Sequence, residues 1–176
     1  YQEVEQFENE FPIISWDDAF SKAKNKKILD VKAYEQKPID FKLTGGPVGW
    51  CGQTSIQIIL SYYGLELTQS EINNANFKSG NPTIYFEDLV SVIESVTLGQ
   101  FKAKAVRFWS ENSYRSWIED NINNDKPVIA TFKMNPTRTP QWLIDHFSVI
   151  TGYDENGIYI LTTWNDEQAK QYRTWE

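Results

Sequence analysis

Apolar residues recur at helical spacing along the first two thirds of the chain. The clearest helix begins at Cys51 and ends at Gly64, and its apolar stripe comprises Ile56, Ile59, Leu60 and Tyr63. Further helices are predicted after a Ser15 cap, from a Thr68–Glu71 capping box, over "TIYFEDLVSVIESV", and over "SENSYRSWIEDNINND" with Ser110 or Asn112 as its cap. The pattern therefore predicts a helical first part.

Strand patterns dominate the remainder of the chain. The segments "FKAKAVRFW" and "PVIATFKM" alternate or are rich in β-formers, and "HFSVITGYDENGIYILTTW" is typical of two strands joined at "DENG". Because the helices precede an antiparallel sheet instead of alternating with strands, the predicted fold class is α+β. We expect one compact domain, in which residues 1–40 form an arm that braces the fold or acts as a pro-segment, and residues 41–176 form the main body.

Composition and charge narrow the classes of function. The chain has 176 residues, of which 40% are apolar and 15% aromatic, as in a packed globular domain. Its net charge of −7 argues against binding to nucleic acid, and no apolar run approaches the ~18 residues of a membrane span. An acidic domain without disulfides suits a bacterial exterior or a cytosol, and we favour secretion or the cell envelope.

The single cysteine and the single histidine are the candidates for chemistry. Cys51 opens the clearest helix, whose positive end favours a thiolate, and the glycines beside it leave room for a substrate backbone. One cysteine excludes an intrachain disulfide and a multi-cysteine zinc site. His146 begins a predicted strand 95 positions later, so its pairing with Cys51 depends on tertiary structure.

Both candidate residues lie in segments that resemble those of a known peptidase family. "GWCGQTSIQIILSYYG" resembles the nucleophile segment of papain-fold cysteine peptidases, and especially the C39-like group. "KPVIATF" followed by "HFSVITGYDENGIYI" is similar to the histidine segment of that group. The resemblance covers roughly residues 40–165. It implies a papain-like fold in which a helical half packs on an antiparallel sheet, with a cleft that holds an extended peptide or protein substrate and no metal or organic cofactor.

The resemblance also implies roles for individual residues. Cys51 would be the nucleophile, His146 the general base, and the backbone N–H of Cys51 one donor to the oxyanion. The family usually has a glutamine about six residues before the cysteine as the second donor, where this chain has Gly45 and Gly46. The Asp or Asn that orients the histidine usually follows it by sixteen or seventeen positions, where this chain has two threonines.

Hairpin pairing offers a replacement for the orienting residue. If "DENG" closes the turn with Tyr153 opposite Ile158, His146 lies opposite Asn165, and directly opposed residues share a face of the sheet. We therefore predict Asn165 as the residue that orients the imidazole, with Thr163 as the second candidate. Tryptophans near these motifs are expected to line the cleft: Trp50, Trp142 and Trp164.

Three other functions remain open at this point. The first is an acyltransferase or deamidase on the same fold, which would use the same cysteine and histidine. The second is an inactive homologue that binds peptides, favoured by the missing glutamine and by the threonines at Thr162 and Thr163. The third is an unrelated binding domain whose only cysteine is buried and inert.

Overall fold

Helices precede most of the sheet, which confirms the α+β prediction. The computed structural model describes residues 14–37, 49–76, 84–108, 110–133, 141, 146–164 and 169–175. In these ranges the helices are α1 (Trp16–Lys22), α2 (Cys51–Tyr62), α3 (Gln69–Asn74), α4 (Leu89–Val96) and α5 (Glu111–Asn123). The strands are β1 (Lys26–Ile28), β2 (Val128–Phe132), β3 (His146–Asp154), β4 (Gly157–Leu161) and β5 (Lys170–Thr174). None of these helices has both the length and the apolar character needed to cross a bilayer.

Strand β3 is the centre of the antiparallel sheet. One of its edges pairs with β4, which in turn pairs with β5. The other edge is shared by two strands, with β2 along His146–Ile150 and β1 along Gly152–Asp154. The β4 edge is paired from Val149 to Tyr153, and His146 is held on the other edge by its pairing with Phe132 of β2.

Side chains cap the helices where the sequence predicts caps. Ser15 accepts a hydrogen bond from the backbone of Asp18, which begins α1. Thr68 and Glu71 form the reciprocal capping box of α3. Ser110, and not Asn112, caps α5. Each cap satisfies an N–H group that has no partner inside its helix, so these boundaries follow from local chemistry.

Helices cover both faces of β3. Phe147 packs in one cluster with Ile56 and Leu60 of α2. On the opposite face of β3, Ile150 packs in a second cluster with Ile118 of α5. Alternate residues of a strand point to opposite faces, which explains how consecutive apolar residues of β3 serve two helices. Helix α2 is thereby packed against the strand that begins at His146.

One strand prediction is wrong, and two strands were not predicted. The segment "FKAKAVRFW" forms no strand at residues 102–108, and two of its aromatic side chains pack against helices instead. Phe101 packs against the α2 cluster, and the ring of Phe108 lies 5.2 Å from that of Trp117 in α5. The sequence also gave no sign of β1 and β5, which are short and polar and are recognisable only by the strands they pair with.

Candidate active site

Cys51 is the first residue of α2. The helix has no acidic residue in its first turn, so its positive end is not offset by a side-chain charge. The carbonyl of Trp50 accepts hydrogen bonds from the backbone and the hydroxyl of Thr54, at 2.8 and 2.7 Å. These bonds fix the turn that carries the thiol. The Cys51 side chain is half-buried and packs against the cluster that contains Phe147, the neighbour of His146.

His146 is buried at the start of β3, with 7% of its surface exposed. Its ring Nε2 lies 3.1 Å from Oγ1 of Thr163, the second candidate for the orienting residue. The ring of Trp164 packs against the imidazole at a centroid distance of 5.0 Å. The imidazole is therefore held by a hydroxyl on one side and by an aromatic face on another.

A β-bulge corrects the pairing that pointed to Asn165. Tyr153 does pair with Ile158 as predicted, but the register shifts by one residue between Ile150 and Gly152. Continued toward the start of β3, the shifted register brings His146 opposite Trp164, consistent with their packed rings. Asn165 itself lies outside the described residues, as do Trp142, Gly45 and Gly46.

Thr163 connects the imidazole to a glutamine that the sequence analysis did not consider. Its hydroxyl donates to Oε1 of Gln36 at 2.6 Å, and its carbonyl accepts from the Gln36 backbone N–H at 2.7 Å. The amide nitrogen of Gln36 lies against Gly49, where a Cβ atom would overlap it. Only glycine leaves this space open. The chain of contacts thus runs from His146 to the backbone two residues before Cys51.

Gln69 of α3 holds the segment that carries Gln36. Its side-chain oxygen accepts from the Lys37 backbone at 2.8 Å, and its nitrogen donates to the Glu35 carbonyl at 2.8 Å. The same nitrogen lies 3.1 Å from Oε1 of Gln57 in α2, and Gln69 is only 4% exposed. The residues on both sides of Gln36 are therefore tied to the helical half, which fixes the direction of its side chain.

The glutamine was missed because of its distance along the chain. It precedes Cys51 by fifteen positions instead of about six, and it lies in "AYEQKP", a segment without helical or strand periodicity. One weak signal existed in Gly49, since a glycine near a nucleophile often permits a close approach. As for metals, the described ranges contain no group of three or more His, Cys, Asp or Glu side chains that could hold an ion.

Comparisons with known proteins show the family and the fold of this chain. The model of the Peptidase_C39-like family matches residues 28–176, which include Gln36, Cys51 and His146. A solved structure described as a C39-like peptidase from Bacillus anthracis superimposes with a TM-score of 0.55 at 17% identity. The match covers 86% of this chain and 100% of that one, and it shows a shared fold. No curated protein sequence matches this chain significantly.

Proposed function

Because this chain belongs to the Peptidase_C39-like family, we propose that it is a cysteine peptidase that cleaves peptide or isopeptide bonds through a thioester on Cys51. The observation that supports this most directly is the Thr163 hydroxyl, which contacts both the imidazole of His146 and the amide of Gln36. We propose that the imidazole held in this way pairs with the thiol at the start of α2, as cysteine catalysis requires.

His146 acts as the base and later as the acid. With Nε2 bonded to Thr163, Nδ1 is the ring nitrogen that takes the proton of the Cys51 thiol. The Sγ atom attacks the substrate carbonyl, and the imidazolium then protonates the leaving amine as the C–N bond breaks. Water attacks the thioester, gives a proton to Nδ1, and releases the acid and the thiol.

The oxyanion is bound by two donors from different parts of the chain. The backbone N–H of Cys51 is one, and the side-chain amide of Gln36 is the second. The amide lies against Gly49, near the first turn of α2, and its oxygen is occupied by Thr163. Its N–H groups are therefore the part of the side chain that remains for a substrate.

The orienting role falls to Thr163 in this proposal. Its hydroxyl lies within hydrogen-bond distance of the imidazole, whereas the pairing of His146 with Asn165 required a register that the bulge shifts. The main reason for expecting an inactive homologue was the glycine pair in place of a glutamine. In this proposal Gln36 supplies the donor that the two glycines lack, and we therefore favour the active enzyme.

Alkylation of Cys51 tests the reactive pair. Because the chain has one cysteine, mass spectrometry with a thiol-directed epoxide reports on this residue alone. We expect rapid labelling that persists below about pH 6 and that is lost in His146→Ala, since the imidazolium stabilises the thiolate. The chain unfolded in urea is the matched control. Labelling that follows an ordinary thiol with a pKa of about 8.5 would contradict the proposal.

The role of Gln36 is tested by separating alkylation from amide cleavage. Alkylation below about pH 6 forms no oxyanion and uses the imidazolium, whose Nε2 is protonated with or without Gln36. Gln36→Ala should therefore leave its rate unchanged while kcat/KM for peptide cleavage falls about 10²–10³-fold. Gln53→Ala, at a buried glutamine of α2 that bonds to Asn73, is the control and should cost less than tenfold. Equal losses in the two variants would remove Gln36 from the oxyanion site. Trapping of the acyl group by added amines, without hydrolysis, would instead indicate an acyltransferase.

A further inference from the structure

The hydroxyl of Thr163 is shared between two groups that the proposed mechanism uses for different steps. It lies 2.6 Å from Oε1 of Gln36 and 3.1 Å from Nε2 of His146, and the threonine is completely buried. A buried hydroxyl exchanges few bonds with water, so these two contacts decide where its proton and its lone pairs point.

The direction of the two hydrogen bonds follows from the number of protons. An amide oxygen can only accept, so the single hydroxyl proton of Thr163 goes to Gln36. Toward the imidazole the same oxygen can then only accept, and Nε2 must carry the proton. In a neutral imidazole this leaves the lone pair on Nδ1, the nitrogen that has to take the thiol proton.

We propose that Thr163 is a positioning residue that sets the tautomer of His146 and, through the same hydroxyl, turns the amide N–H groups of Gln36 toward the oxyanion. This inference rests on the proposed function. The base and the oxyanion donor are then coupled through one oxygen atom. These two hydrogen bonds need not rearrange during catalysis, because Nε2 donates to Thr163 in both the neutral and the protonated imidazole.

The coupling differs from that of an orienting carboxylate or carboxamide. A carboxylate can accept from the imidazole but has no proton to donate to Oε1 of Gln36. A carboxamide can do both only through two different atoms, its oxygen and its nitrogen. The threonine does both through one oxygen, and it supplies no negative charge to the imidazolium. An Asp at position 163 would therefore orient the imidazole but release the Gln36 amide.

The tautomer can be measured directly, since His146 is the only histidine. In protein labelled with ¹⁵N-histidine and carrying Cys51→Ala, long-range ¹H–¹⁵N spectra at pH 8 should show the proton on Nε2. Thr163→Ser should preserve that state, and Thr163→Val should give a mixture of tautomers. Thr151→Val, at a buried threonine in β3, is the matched control. A proton on Nδ1, or no change in Thr163→Val, would overturn the proposal.

A double-mutant cycle tests the coupling. We expect Thr163→Val and Gln36→Ala each to lower kcat/KM by about 10²-fold. The loss of kcat/KM in the double variant should be at least about tenfold smaller than the product of the two single losses. The shortfall arises because both variants break the same hydrogen bond. Effects that multiply fully would overturn the coupling.

The two proposals fail in different ways. A wild-type protein without cleavage and without low-pH alkylation would contradict the peptidase. The tautomer measured in Cys51→Ala would still decide the role of Thr163, because that measurement does not depend on activity. If Thr163→Val does not fold, Thr163→Ser and the spectrum of the parent protein retain the test.

Discussion

The two ends of β3 each bury a polar side chain, and they satisfy it in different ways. At the hairpin end, Asp154 is 1% exposed and accepts from the backbones of Asn156 and Gly157 and from the hydroxyls of Tyr159 and Tyr172, at 2.7–2.9 Å. At the other end, His146 is 7% exposed, and its ring nitrogen contacts a threonine that in turn contacts a glutamine.

The difference separates a stabilising site from the one that we propose to be reactive. The donors around Asp154 are backbone N–H groups and tyrosine hydroxyls, and all of them bond to its carboxylate. The hydrogen-bond network at this end therefore stops at Asp154. Burial, together with the nearby carboxylate, raises the pKa of Tyr159 and of Tyr172, and both stay neutral donors. The network of His146 instead continues through Thr163 and Gln36 to Gly49, just before the start of α2. In the proposed mechanism His146 transfers a proton and Gln36 binds the oxyanion.

Removal of the Asp154 carboxylate should give the largest effect. Asp154→Ala leaves four donors without their acceptor, which should lower the free energy of unfolding by about 4–5 kcal/mol. The midpoint of urea unfolding, followed by tryptophan fluorescence, measures this. Asp120→Ala, at an exposed position of α5, is the control and should cost about 0.5 kcal/mol or less. If the Asp154 variant loses Cys51 alkylation while it remains folded, the hairpin end is not purely structural.

Replacement of Gln69, which holds the segment that carries Gln36, should lower activity more than stability. Gln69→Leu keeps the volume but removes the bonds to Glu35 and Lys37, so the segment that carries Gln36 shifts. We expect kcat/KM to fall about 10–10²-fold while low-pH alkylation of Cys51 keeps its rate. Gln171→Leu alters another buried amide, on β5, and should retain activity. Equal losses of activity in both variants would mean that general destabilisation is the cause.

Alkaline pH should act on the hairpin end with the smallest effect. A tyrosine has a pKa of about 10 in the unfolded chain, and burial next to Asp154 raises it in the folded protein. The stabilisation is therefore complete below pH 10 and declines as the pH rises above it, by about 1.4 kcal/mol per pH unit for each tyrosine. Urea midpoints between pH 9 and 11 measure the slope. Tyr172→Phe should reduce it, and the exposed Tyr85→Phe should not.

Structural features whose hydrogen bonds join residues only a few positions apart could be predicted from the sequence. The Ser15 cap, the Thr68–Glu71 box and the "DENG" turn each depend on neighbours in the chain, and all three are present. The contact between Thr163 and Gln36 joins residues 127 positions apart, and no local pattern encodes it. For the same reason the paired strand β5 could not be predicted.

The bulge in β3 has a further consequence for how the chain can vary. In an unbroken strand His146 and Asp154, eight positions apart, would share a face. The extra residue reverses the alternation, so Asp154 lies in the cluster under α1 with Tyr159 and Tyr172 and not on the face that it would otherwise share with His146. None of the hydrogen bonds described at one polar site includes a residue of the other. Substitutions that adjust stability at one can accumulate without compensation at the other, which makes the hairpin end a suitable place to engineer this fold.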